Sequence, residues 1–94
     1  MKVEWSDDAL ADLDRFAAFL RDKYPSLARR VTQEIAAKVQ LLAEHPRSGR
    51  PLAGREEYRQ VVLQVLNVQY VFHYRYDGER LVVLRVFHGR EARK

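Results

Sequence analysis

The stretch from Asn67 to Arg90, NVQYVFHYRYDGERLVVLRVFHGR, constrains the fold of this chain more than any other segment. Two runs rich in Val, Tyr, Phe and Leu flank Asp77-Gly78, a dipeptide suited to the positive φ angles of a tight turn, so the segment is expected to form a β-hairpin. With Asp77 and Gly78 as the whole turn, Tyr74 faces Leu81, Phe72 faces Val83 and Tyr70 faces Arg85. Val71, His73, Val82, Leu84, Val86 and His88 then share the other face. Both faces are largely apolar, whereas a sheet half open to water alternates more cleanly. The pattern therefore predicts a cover for the second face: a partner chain, a dimer mate or the protein's own termini.

Upstream, Val3, Glu4 and Trp5 read as a short strand. Ser6 is placed as a helix N-cap, with Asp7 and Asp8 set favourably against the positive end of the helix dipole. The helix is expected to run to about Lys23, with an apolar stripe of Ala9, Leu10, Leu13, Phe16, Ala17 and Leu20, and with Asp8, Asp12, Arg15 and Arg21 left to solvent. Tyr24-Pro25-Ser26 punctuates the chain, because proline disfavours helix at the preceding residue and fits the first turn of the next one. A second helix, about Ser26 to Glu44, buries Leu27, Val31, Ile35, Val39 and Leu42, so the two helices form an antiparallel hairpin. His45 to Arg55, with two prolines and two glycines, reads as an ordered basic loop, followed by a strand from Tyr58 to Val65 and a turn at Leu66-Asn67. The expected class is α+β in the order β-α-α-β-β-β, with an N-terminal strand and a helical hairpin packed on a mostly antiparallel sheet. Residues 1–94 are expected to form a single domain.

Composition removes several function classes. There is no cysteine, hence no disulfide framework and no thiolate metal site, which fits a reducing cytoplasm. No export signal is visible and no apolar run approaches the roughly 20 residues that span a bilayer. His45, His73 and His88 lack metal-ligand spacing, and Gly49 and Gly54 lack the spacing and the Lys-Ser/Thr of a phosphate-binding loop, so neither metal nor cofactor is expected. Seventeen Lys and Arg against thirteen Asp and Glu give a formal charge of +4, which points to an acidic partner, nucleic acid or protein. Arg75, Arg80, Arg85, Arg90, Arg93 and Lys94 make the C-terminal part basic, and Arg50, Arg55 and Arg59 form a second basic group. Tyr70, Phe72, Tyr74 and Tyr76 are either a stacking platform for bases or core residues of a strand.

Several of these features occur together in one known group. The chain resembles the ParE/RelE superfamily of toxins from bacterial type II toxin-antitoxin modules over essentially its whole length. The resemblance rests on Trp5, Ala9 and Asp12-Leu13, on Leu41-Leu42 before His45-Pro46-Arg47-Ser48-Gly49, and on Gly54 with Tyr58-Arg59. It continues through Tyr70-Val71-Phe72-His73-Tyr74-Arg75 into Leu84-Arg85-Val86-Phe87-His88-Gly89-Arg90. It implies a compact α+β fold, growth arrest and plasmid stabilisation, a cytoplasmic location, and an antitoxin encoded alongside that binds the toxin in a hetero-oligomer.

RelE-like members cleave messenger RNA on the ribosome, which requires a base, cations for the phosphorane charge and an acid for the leaving oxygen. They carry an arginine where this chain has Tyr70 and Val71, and RelE itself has a tyrosine beyond the final arginine, where this chain has none. The resemblance therefore selects the ParE-like branch, whose studied members poison DNA gyrase without chemistry of their own. On that reading Arg85, His88, Arg90 and Arg93 are the target-binding candidates, and Arg59, Arg75 and Arg85 the antitoxin-binding ones. The alternative, a ribosome-dependent ribonuclease, would use His88 as acid or base with Arg90 and Arg59 as charge stabilisers. Bland readings stand beside these: a solvated basic tail for Arg90 and Arg93, and a sheet-edge ring for His88. The antitoxin is expected to supply an extended, acidic and partly apolar segment.

Overall fold

A computed structural model describes residues 2–92, with side chains as far as Arg90. The elements are β1 (Val3–Trp5), α1 (Asp7–Arg21), α2 (Pro25–Leu42), β2 (Arg50–Leu52), β3 (Arg55–Val65), β4 (Val68–Tyr76), β5 (Leu81–His88) and a single turn, α3 (Gly89–Ala92). Ser6 caps α1 as expected, its Oγ accepting the Ala9 N–H at 3.0 Å, and Pro25 opens α2 where its missing N–H costs nothing. The five-stranded sheet runs in the order β1-β5-β4-β3-β2, with β1 parallel to β5 and every other pair antiparallel.

The two long helices cover one sheet face. Phe72, Tyr74, Leu81, Val83 and Val86 of that face are fully buried, packed with Ala9, Phe16, Ile35 and Val39. This resolves the aromatic run: Tyr70, Phe72 and Tyr74 are core, with Tyr76 packed at its margin. The opposite face of the sheet carries Val62, Val71, His73 and Phe87, and neither α1 nor α2 lies on it.

The hairpin departs from its expected register. Its loop is four residues, Asp77 to Arg80, because the Asp77 carboxylate accepts the N–H groups of Glu79 and Arg80 at 3.0 and 3.1 Å and so extends the turn. Tyr76, not Tyr74, therefore faces Leu81. Beyond Val83 the pairing shifts again, with Tyr74 opposite Val83 but His73 opposite Arg85, so Leu84 is the extra residue of a β-bulge. The bulge reverses the alternation: Val86 and His88, expected with Val71 and His73, move to the helix side, while Arg85 and Phe87 turn to the open side.

Three further expectations are corrected. Asp12, assigned to solvent, is 2% exposed, for reasons given below. Leu10 and Leu27, assigned to the core stripes, are exposed: Leu10 points off the side of α1 that buries Ala9, Asp12 and Phe16, and Leu27 lies in the groove described below. The basic loop contains the short strand β2, which pairs Arg50 with Gln60 and Pro51 with Arg59.

Candidate functional site

At the end of the helical hairpin the sheet stops short and leaves a groove of about 520 Å³. One wall is Phe16, Phe19, Leu20 and Leu27 from the helices; the other is Val65, Leu66, Val68 and Tyr70 around the β3–β4 turn. Phe19 is 86% exposed at the rim and extends the groove's apolar wall to the surface. Leu66 and Asn67 both have positive φ, 50° and 69°, so a leucine holds a left-handed backbone position and forms part of the wall. Arg15, His88 and Arg90 form the polar end, where the His88 ring stands edge-on to Tyr70 at 5.6 Å and its Nδ1 accepts the Arg90 N–H at 3.1 Å.

The candidate arginines divide by location. Arg85 donates from Nε and a terminal nitrogen to the two Asp12 oxygens at 2.9 and 3.1 Å. Asp12 also accepts the Val86 N–H at 2.8 Å and an Arg15 N–H at 2.7 Å. Burial by itself would raise the Asp12 carboxyl, but the bonds from Arg85, Val86 and Arg15 together outweigh it and hold the group below its ordinary value. The same pair raises Arg85 above the ordinary guanidinium value. Arg75 is paired with Glu57 at 3.3 Å and Asp77 at 3.5 Å on the open face.

Arg59 is 7% exposed and is not presented to a partner. It donates to the carbonyls of Arg47 and Gly49 at 3.1 and 2.7 Å, while its Nε is buried with no hydrogen-bond partner. Tyr74 completes this clamp, its hydroxyl accepting the Gly49 N–H at 3.0 Å and donating to the Pro46 carbonyl at 2.7 Å. Burial pushes the Tyr74 phenol up, opposed by the Gly49 bond and the Arg59 charge. His88 and Arg90 thus share the groove's polar end, whereas Arg59 faces Tyr74, about 13 Å along β4 from the Tyr70 that pairs with His88. Arg93 lies outside the described residues. Among the described residues no group of three or more His, Asp or Glu side chains is placed to hold a metal ion, and no helix is long and apolar enough to cross a membrane.

The open face holds one more polar group. His73 Nε2 lies 3.0 Å from the Gln60 amide oxygen, and its ring stands edge-on to Phe87 at 5.2 Å. Burial first, and then the Arg85 charge, lower its pKa, so it favours the neutral ring.

Phe19 was not singled out from the sequence. Its only signal is an aromatic between the stripe positions Phe16 and Leu20, off the buried side of α1.

With this geometry in place, the similarities to known proteins are specific. The sequence model of the family described as ParE toxin of type II toxin-antitoxin system, parDE, matches residues 3–93. A curated relative designated toxin Y4kP, from Sinorhizobium fredii, is 34% identical over 91 residues, covering 96% of this chain and 90% of that protein. Among solved structures, a chain of the chromosomal ParDE TA system from P. aeruginosa superposes with a TM-score of 0.73 at 24% identity, covering 94% of this chain and 95% of that one. A YoeB/ParE toxin from Agrobacterium tumefaciens gives 0.57 at 19% identity, covering 94% and 98% respectively. At these identities the two structures speak for the fold, a helical hairpin on a five-stranded sheet.

Proposed function

The chain belongs to the ParE toxin family of type II toxin-antitoxin systems, and from that premise we propose that it arrests growth by acting on DNA gyrase and is silenced by an antitoxin docked in the groove. The antitoxin reading draws on the groove itself: an apolar trough with an exposed phenylalanine at its rim and arginines at one end suits an amphipathic segment carrying carboxylates. Family membership makes a cognate antitoxin the partner expected to bring that chemistry.

The observation that carries a binding toxin over a nuclease is the placement of the cations. A phosphorane would need arginines and a proton carrier converging on one phosphate. Here Arg75 and Arg85 are held by carboxylates, and of the three residues the nuclease reading names, His88 and Arg90 meet at the groove's polar end beside Arg15, whereas Arg59 is inside the molecule about 13 Å along β4 and does not join them. On the gyrase reading no such convergence is required, because trapping one conformational intermediate is a matter of differential binding.

The test is a supercoiling and cleavage gel with purified gyrase, relaxed plasmid, ATP and antitoxin-free protein. Accumulated linear DNA or lost supercoiling is the expected result. Unaltered products from demonstrably folded protein would overturn the proposal and move attention to ribosome-dependent mRNA cleavage.

A further inference from the structure

The cations of this chain differ in whether the fold neutralises them. On the sheet Arg75, Arg80 and Arg85 each face a carboxylate, and Arg59 is enclosed by main-chain carbonyls. The tip of the helical hairpin is the reverse. From Phe19 to Arg30 four cations, Arg21, Lys23, Arg29 and Arg30, stand against one carboxylate, Asp22, so this short segment holds a net +3 of the chain's +4. All four are exposed, and among the described residues none of them has a side-chain hydrogen bond or an ion pair. No acidic residue in the first turn of α2 offsets them.

Two of these arginines line one cleft. It has a volume of about 430 Å³ and lies between the helices, with Arg21 on α1, Arg29, Thr32 and Gln33 on α2, and the small Ala17 and Ala28 beside them. It shares no residue with the groove. Its chemistry is also different. Neither a carboxylate nor a large apolar side chain lines it, so an amphipathic peptide would bury little there. Guanidinium groups suit phosphate oxygens, which they can grip with two parallel hydrogen bonds, and the Gln33 amide is a further donor. Tyr24, 58% exposed at the same tip, adds a phenolic hydroxyl.

We propose that this tip is a contact for the sugar-phosphate backbone of duplex DNA, with Arg21 and Arg29 meeting phosphate from the two helices and Lys23 and Arg30 at neighbouring phosphates. The choice of DNA rests on the gyrase reading above, in which the intermediate to be trapped already contains a cleaved duplex. Because cleft and groove are separate, one toxin can touch the enzyme through the polar end of the groove and the enzyme's DNA through the helical tip. An acidic protein segment fits the cleft less well, since it would leave its apolar side chains in water.

Fluorescence anisotropy of a short labelled duplex, titrated with antitoxin-free protein across a salt series, tests this. The parent is expected to bind, and Arg21→Gln combined with Arg29→Gln to weaken binding about tenfold and to flatten the log–log salt dependence by about two. Both positions are exposed on helices and glutamine is a good helix former, so the fold is retained. Lys2→Gln combined with Arg80→Gln removes the same charge at the opposite end of the sheet and should leave the affinity within about twofold. In the supercoiling gel the cleft variant should need about tenfold more protein for equal effect. No binding by the parent at low salt, or equal affinity in the cleft variant, would overturn the proposal, while inhibition of gyrase by that same parent would leave the gyrase reading standing. Arginine-dependent DNA binding with no effect on gyrase would do the opposite. Tighter arginine-dependent binding to duplex RNA would point to the ribosome and overturn the proposal. So would a cleft variant that loses antitoxin affinity by calorimetry while keeping its affinity for DNA, because the tip would then belong to the antitoxin.

Discussion

Asp12 joins three parts of the molecule through one carboxylate: its own helix through Arg15, the β5 backbone through Val86, and the Arg85 side chain. Removing it orphans a buried N–H and releases a half-exposed guanidinium. Asp12→Ala should therefore cost about 3 kcal/mol, less than for a fully buried pair because Arg85 is screened by water. Since the folded carboxyl lies below the ordinary value of 3.8, the stabilisation is complete above that pH and is lost as pH falls through the folded pKa. Urea unfolding of both proteins should thus show a constant gap at and above about pH 5 that narrows in acid. A gap that widened in acid would contradict the assignment. Gly49 supports a second prediction: a Cβ there would come 2.6 Å from the Tyr74 hydroxyl and 2.9 Å from the Gln60 carbonyl. Gly49→Ala should cost about 1–3 kcal/mol by thermal melt and free the Pro46–Arg50 loop, because Tyr74 and the Gln60 backbone are both fixed in the sheet.

At the scale of elements, α1 presents two different faces at one end. Phe16 and Leu20 pack inward, while Phe19 stands at the groove rim and touches little of its own chain. Phe19→Asp should therefore change stability by no more than about 0.5 kcal/mol. The same change should weaken antitoxin binding about tenfold or more by calorimetry, since a carboxylate would then face the carboxylates of the incoming segment. The contrast between those two readouts separates a docking residue from a packing one. Legibility in the sequence follows the range of the interactions involved. The helices, the N-cap at Ser6 and the existence of the hairpin depend on neighbours within a few residues, and periodicity exposed them. The bulge at Leu84 has no glycine or proline to mark it; it is set by α1, whose Asp12 takes the Val86 N–H and the Arg85 side chain together. Asp12 looked like a solvent residue because its partners are 73 and 74 positions away. The groove was invisible for the same reason, its walls coming from α1 and α2 on one side and a turn near residue 66 on the other.

For the whole molecule, the fold changes which C-terminal variants can inform on the target. Deleting Arg85 to Arg93 would remove the whole second half of β5, including the fully buried Val86, and the resulting loss of activity would report unfolding. Arg90 is exposed just past the strand, at the polar end of the groove, so Arg90→Ala tests the same region without touching the core. If that end meets gyrase, the variant should melt within about 1 °C to 3 °C of the parent and require about tenfold more protein for equal inhibition of supercoiling. The position of His88 and Arg90 inside the groove's lining then carries a consequence for neutralisation. An antitoxin segment filling the groove covers the residues the target would use, so the two bind in competition. Added stoichiometrically, antitoxin should abolish the effect on gyrase, and excess gyrase should slow antitoxin capture without changing the final complex. A stable ternary complex of gyrase, toxin and antitoxin, seen by sedimentation, would place the target surface elsewhere, the uncovered sheet face bearing Val62, His73 and Phe87 being the next to mutate.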